Sequence, residues 1–252
     1  MGKQKYKQKQ NPPSAYVLLS GAWYNFHGFV DRFSGKWNTL IGPRQEENLL
    51  SFIAESMVVR CAFSPAPLAE QTLSNDAKRS FLWPGASERI ALHAAHIFVT
   101  VVPGIREKKD AIAAHRLLSK TVSALLEADN AIGVWLSPGV LEKNHYVKTA
   151  KALIGDALPT DLWVHIDAWE NSDGLSLATF GMNKFDKPEF EIIESKKNFI
   201  DCYYHLKQIV EYTIRQNAAV RNGTISAGET ATSKISLSKG VFASGTTAKI
   251  DY

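Results

Sequence analysis

The chain has 252 residues, 45% of them hydrophobic, and a formal net charge of +4. That apolar content supports a substantial core and excludes an extended disordered chain. Lys3, Lys5, Lys7 and Lys9 carry the excess; without them 25 basic residues stand against 25 acidic ones. No basic face is left for phosphates, which argues against nucleic acid as a partner.

In chain order, residues 1–13, MGKQKYKQKQNPP, are expected to be a solvated, disordered basic tail closed by Pro12 and Pro13. A single compact α+β domain is expected over 14–240, with a polar tail at 241–252. AYVLLSGAW (15–23) reads as a buried strand. GAWYNFHGFVDRF (21–33) reads as an aromatic loop punctuated by glycine, with Gly28, Gly35 and Gly42-Pro43 as breaks. The spacing of Leu49, Leu50 and Ile53 predicts a helix in RQEENLLSFIAES. MVVRCAFSPAP is strand-like until Pro65 and Pro67, and 69–90 has room for a short helix.

The second half is more periodic. HAAHIFVTVV (93–102) reads as a strand and EKKDAIAAHRLLSKTVSALLEAD as an amphipathic helix. AIGVWL follows as a strand, and Pro138 is expected to open a helix that buries Val140, Val147, Leu153 and Ile154 and stops at Gly155. DLWVHIDAW and GLSLATF, joined by ENSDG, read as a β-hairpin. NFIDCYYHLKQIVEYTIRQ has an unbroken apolar stripe of Phe199, Tyr203, Leu206, Val210 and Ile214, and SKISLS reads as a closing strand. The fold class is α+β, a mixed or antiparallel sheet with packed helices, arranged as split βαβ (ferredoxin-like) halves.

Candidate chemistry is sparse. Cys61 and Cys202 sit in apolar runs and build neither a disulfide framework nor a cysteine zinc site, so a reducing cytoplasm is expected. No run reaches the ~18 apolar residues of a membrane helix, and no signal-peptide pattern opens the chain. Phosphate-loop, dinucleotide-loop and zinc-protease motifs are missing, so no cofactor and no metal are expected. His165 and Asp167 share one face of the predicted hairpin strand with Trp163 and Trp169, and form a weak base-and-orienter candidate, with His96 as a third group. No serine or cysteine stands in a nucleophile elbow. Glu189, Glu191 and Asp186 read as solvated loop charge.

HAAHIFVTVV, ALLEADNAIGVWL, LPTDLWVHIDAW and SLATFGMNKFDKPEFEII occur in that order, and RNGTISAGETATSKISLS follows. From about residue 90 to 240 this succession resembles the bacterial family known as domain of unknown function 4261. The resemblance implies a cytoplasmic bacterial α+β domain and brings no catalytic residues. The most distinctive matching positions are Gly181, Met182, Phe185, Lys187, Pro188 and Glu189. They read as a shaped loop: Gly181 permits positive φ, Phe185 folds onto the core, and Pro188 holds Lys187 extended. The expected function is a non-catalytic interaction protein, such as a toxin-neutralising immunity protein or an effector adaptor; the alternative is a hydrolase using His165 and Asp167. The expected partner is another protein, held by Trp23, Tyr24, Phe26, Trp163, Trp169, Lys187 and Glu189.

Overall fold

The computed structural model describes residues 11–69, 71–103, 110–155, 157–227 and 231–252; the lysine-bearing segment 1–10 lies outside them. Two sheets and six α-helices make up the described residues, an α+β fold. The first sheet takes β1 (Ser14–Leu19), β2 (Arg44–Glu46), β3 (Leu49–Ala54), β4 (Met57–Ser64), β5 (Ala95–Pro103), β6 (Ala131–Trp135) and β7 (Val140–Glu142) in the order β2-β3-β4-β5-β1-β6-β7. Every neighbouring pair is antiparallel. Strands β1 and β4 therefore run parallel with β5 between them, and β5 and β6 run parallel with β1 between them. The first pair is linked through α1 (Phe26–Trp37) and the second through α4 (Ala111–Leu126). Two interleaved split βαβ units result, the ferredoxin-like arrangement that the sequence suggests.

The second sheet contains β8 (His165–Asn171), β9 (Gly174–Phe180), β10 (Phe190–Ser195), β11 (Gly223–Ala227), β12 (Ala231–Lys239) and β13 (Thr246–Asp251), ordered β11-β12-β13-β10-β9-β8. It is not a second split βαβ half. Two three-stranded meanders meet where β10 and β13 pair in parallel, and α6 (Phe199–Arg215) links them. Strand β13 replaces the polar tail expected at 241–252. Its Thr247, Ala248 and Ile250 are buried, an alternation too short to stand out beside the glycines that precede it.

Segment 44–54 is a hairpin, not a helix. Leu50, Phe52 and Ala54 are buried while Ile53 is 68% exposed, a period of two. Leu49, Leu50 and Ile53 satisfy helical spacing equally well, and only the tertiary contact decides. Residues 26–37 are a helix, not a loop. The Asn25 side chain accepts from the amides of His27 and Gly28, and Phe26, Phe29 and Phe33 form a buried stripe. Gly28 and Gly35 are tolerated because that stripe packs on Phe52. Pro138 opens no helix: β7 intervenes, and α5 (Lys143–Ala150) begins where Glu142 caps the amide of His145. Ile154 is exposed rather than inward. Within 69–90 there are two helices, α2 (Gln71–Lys78) and α3 (Ala86–Ile90).

One continuous buried cluster takes in α1, α4, the inner face of the first sheet and residues of the second sheet and α6. A smaller cluster on the other face joins Leu18, Trp135 and Val140 to Leu73, Trp83 and Ile90 from α2, α3 and the turn between them. Gly133 makes that seat: a Cβ there would lie 2.5 Å from the Trp83 ring. Among the described residues no helix is long and apolar enough to cross a membrane.

Candidate functional site

The polar groups nominated by the sequence meet where α2 faces β8. Asp167 is buried and accepts a 2.8 Å hydrogen bond from Arg79 Nη1. The other guanidinium nitrogen donates to Asp76 Oδ1 at 2.9 Å, and Asp76 Oδ2 accepts from Trp135 Nε1 at 2.9 Å. One arginine thus neutralises two buried carboxylates, each otherwise costly in a low-dielectric site. His165 Nε2 lies 3.8 Å from Asp167 Oδ1 and has no hydrogen-bond partner. That distance is too long for a base held by its orienter, which needs about 2.6–3.2 Å. His96 sits apart on β5, with Nδ1 bonded to the carbonyl of Ala66.

His165 also lines a cavity of about 20 Å³, with Asp161, Lys184 and Tyr203 among its walls. This holds roughly one water molecule and no substrate. Lys184 Nζ donates to the Trp163 carbonyl at 3.2 Å, and burial holds its pKa below the ordinary lysine range while Glu189 opposes that shift. Burial followed by the charge of Lys184 pushes His115 down to about 4, against the bond to Ala111 O. Asp161 is occupied by Lys207. Among the described residues no group of three or more His, Cys, Asp and Glu gathers as a metal site.

The break between β9 and β10 is built as a shaped loop. Gly181 has φ +126°, and a Cβ there would meet the Trp163 carbonyl oxygen at 2.7 Å, so only glycine fits. Met182–Phe185 forms a single 3₁₀ turn with Met182 and Phe185 buried. The Glu189 carboxylate reaches back to close it, accepting from Thr179 Oγ1 (2.8 Å) and the amides of Gly181 (2.9 Å) and Met182 (3.1 Å). Lys187 donates to Asn217 Oδ1 and Ala218 O, each at 2.8 Å, and ties the loop to the end of α6. Glu191 is fully buried, not a solvated loop charge. Successive amides of Val241, Phe242 and Ala243 turn toward its carboxylate, with Thr247 Oγ1 and Lys249 Nζ. Burial alone would raise its pKa, but the Ala243 amide, Lys249 and the other amides hold it below the ordinary carboxylate range.

The comparison with known families falls on this region. Residues 178–251 match the family described as Domain of unknown function (DUF4261). The likeness to that family covers this segment, under a third of the chain. It begins well after residue 90, where the resemblance starts in the sequence, and runs beyond 240 through β13. No curated protein and no solved structure matches the chain. The DUF4261 segment thus holds both carboxylate cradles, and Glu189 and Lys187 serve there as ties within the chain.

The aromatic candidates divide sharply. Trp23 is 58% exposed, held through its carbonyl by Asn130 Nδ2. Tyr24 instead points inward, donating to Leu125 O and accepting from Arg32, and burial raises its pKa. Phe26 is buried edge-on to Tyr24. Trp163 is buried and donates to Ser119 on α4, so its ring offers no surface. It precedes β8 rather than sharing its face: the alternation in the sequence was extended two residues too far. Trp169 is half-buried, stacked on Phe242 at 4.2 Å. Asp76 and Arg79 are a local i,i+3 pair, but the other partner of Arg79, Asp167, is 88 residues away and leaves no local signal.

Proposed function

We propose that this chain is a non-catalytic protein-binding domain that acts in the bacterial cytoplasm, of the kind that neutralises a toxin or carries an effector. The observation that supports this most is the occupation of Asp167 by Arg79 while His165 stands 3.8 Å away beside a one-water cavity. The carboxylate a hydrolase would need beside His165 is spent on Arg79, just past the end of α2, and the cavity at His165 is too small for a substrate. Trp23 and the outer face of β3, β4 and β5 meanwhile stay at least partly open to solvent.

Affinity purification of the full chain from its native host, read by mass spectrometry, tests the proposal. The expected result is a protein that co-elutes in near-equal amount. Recovery of the chain alone, together with ester or amide hydrolysis that His165→Ala abolishes, would refute it.

A further inference from the structure

Across β3, β4 and β5 the outer face has three rows, with a fourth of Ser64 and His96 on β4 and β5 alone, fixed by the strand register because residues directly opposite each other share a face. The first row is Ile53, Val58 and Val102. The third is Leu49, Ala62 and Phe98, continued by Tyr16 at 4.8 Å from the Phe98 ring. Between them runs a polar row of Arg44, Ser51, Arg60 and Thr100. All six apolar side chains of the first and third rows on these strands are at least partly open to solvent. The opposite face carries the buried Leu50, Phe52, Val59, Cys61, Ile97 and Val99. This partly open apolar face is crossed by Arg44 and Arg60 in the polar row and carries Glu46 beside Leu49; a contiguous exposed apolar patch rimmed by polar groups marks an interaction surface.

Of the two arginines in that row, one is compensated and one is not. Arg44 is paired with Glu46 at 2.6 Å. Arg60 is exposed and makes no hydrogen bond or ion pair among the described residues. Thr100, directly across from it, holds a buried hydroxyl without a partner. We infer that this face docks a protein segment in which one Asp or Glu is flanked by aliphatic side chains, the carboxylate seating on the exposed Arg60 guanidinium. The inference rests on the protein-binding reading above and names the surface and the partner's chemistry. A guanidinium offers a planar fork that a carboxylate fills with two parallel hydrogen bonds. A second copy packed on a two-fold axis through the polar row would set Arg60 against Arg60, which disfavours that packing. A nucleic acid would need several free cations along a track, and the polar row supplies one.

A random peptide library displayed against the full-length protein is the test. Enriched peptides should carry Asp or Glu between aliphatic residues. A synthetic peptide of that consensus should lose about tenfold or more in affinity on Arg60→Glu, and likewise on Ile53→Asp, the scale of a truncated anchor. Both positions are exposed, so far-ultraviolet circular dichroism and Tm should stay at wild-type values. Selection repeated on Arg60→Glu should bring up Lys or Arg in place of the acid. Peptides that bind Arg60→Glu as tightly as wild type, and are lost only on Trp23→Ala, would overturn the assigned face and leave the protein-binding reading standing. A single-stranded 20-mer RNA bound through Arg60 more tightly than the peptide would overturn the partner class. A library with no enriched peptide would sink both.

Discussion

Replacing Glu191 by Gln changes one atom in shape and removes one charge, so it isolates what the carboxylate does for the second sheet. The wild-type oxygens accept from three successive amides, at 3.1 Å from Val241, 2.9 Å from Phe242 and 2.8 Å from Ala243, and from Thr247 and Lys249. Glutamine offers one accepting oxygen and turns an NH₂ group toward groups that also donate. Lys249, only 18% exposed, keeps its charge and loses its counter-ion. Breaking one side of a buried ion pair costs about 3–5 kcal/mol. For a chain of this size each kcal/mol lowers Tm by about 2–4 °C, so a drop of about 10 °C is expected. Guanidinium and thermal unfolding followed by circular dichroism measure it. Adding Lys249→Met to Glu191→Gln should cost far less than Lys249→Met does alone, because the two groups act as a unit. A Tm within about 2 °C of wild type for Glu191→Gln would refute the reasoning, since that is under 1 kcal/mol.

Two further predictions concern pH and packing. His115 titrates at about 4 when folded against 6.5 in its ordinary state, so on acidification the unfolded chain takes up the proton first. Stability should therefore be complete above pH 6.5 and fall by about 3 kcal/mol between 6.5 and 4, at about 1.4 kcal/mol per pKa unit. Burial shifts His96 and His205 the same way, and the depressed Glu191 adds a loss below the ordinary carboxylate range. A Tm that stays flat from pH 7 to 5 would contradict this, and His115→Phe should flatten part of the wild-type slope. Gly133→Ala places a methyl 2.5 Å from the Trp83 ring and 2.8 Å from Leu141 O, and overpacking of that kind costs about 1–3 kcal/mol. A lowered urea midpoint is expected, with part of it regained when Trp83→Leu makes room; an unchanged midpoint would mean that α3 yields freely.

What was legible in the sequence was local. The stripe of α6, the helix α4 and the β8–β9 hairpin follow from periodicity, and each exists as the pattern predicts, though β8 starts only at His165. The loop after β9 was also readable, because Gly181 and Pro188 restrict the backbone by themselves. The first ninety residues mislead for a definite reason. Leu49, Leu50 and Ile53 fit two periods at once, and Gly28 and Gly35 mask a helix whose better signal is Asn25 before Phe26, Phe29 and Phe33. At the candidate site, the alternation along 163–169 placed His165 and Asp167 correctly near each other. It had no means of showing that Arg79 arrives from a distant helix to take the carboxylate. Glu189 and Glu191 looked like surface charge because their donors are backbone amides, which leave no mark on composition.

Strand β13 follows both of its neighbours in the chain, yet lies between them in the sheet. Until residues 246–251 dock, β10 and β12 each present an open row of amides and carbonyls, and Glu191 has neither Thr247 nor Lys249. During synthesis the β8–β9–β10 meander and the β11–β12 hairpin must wait, unjoined, for the six residues of β13 that emerge after both. A chain interrupted before position 246 would leave two half-sheets with open edges, so the strand order makes any product lacking β13 prone to aggregate.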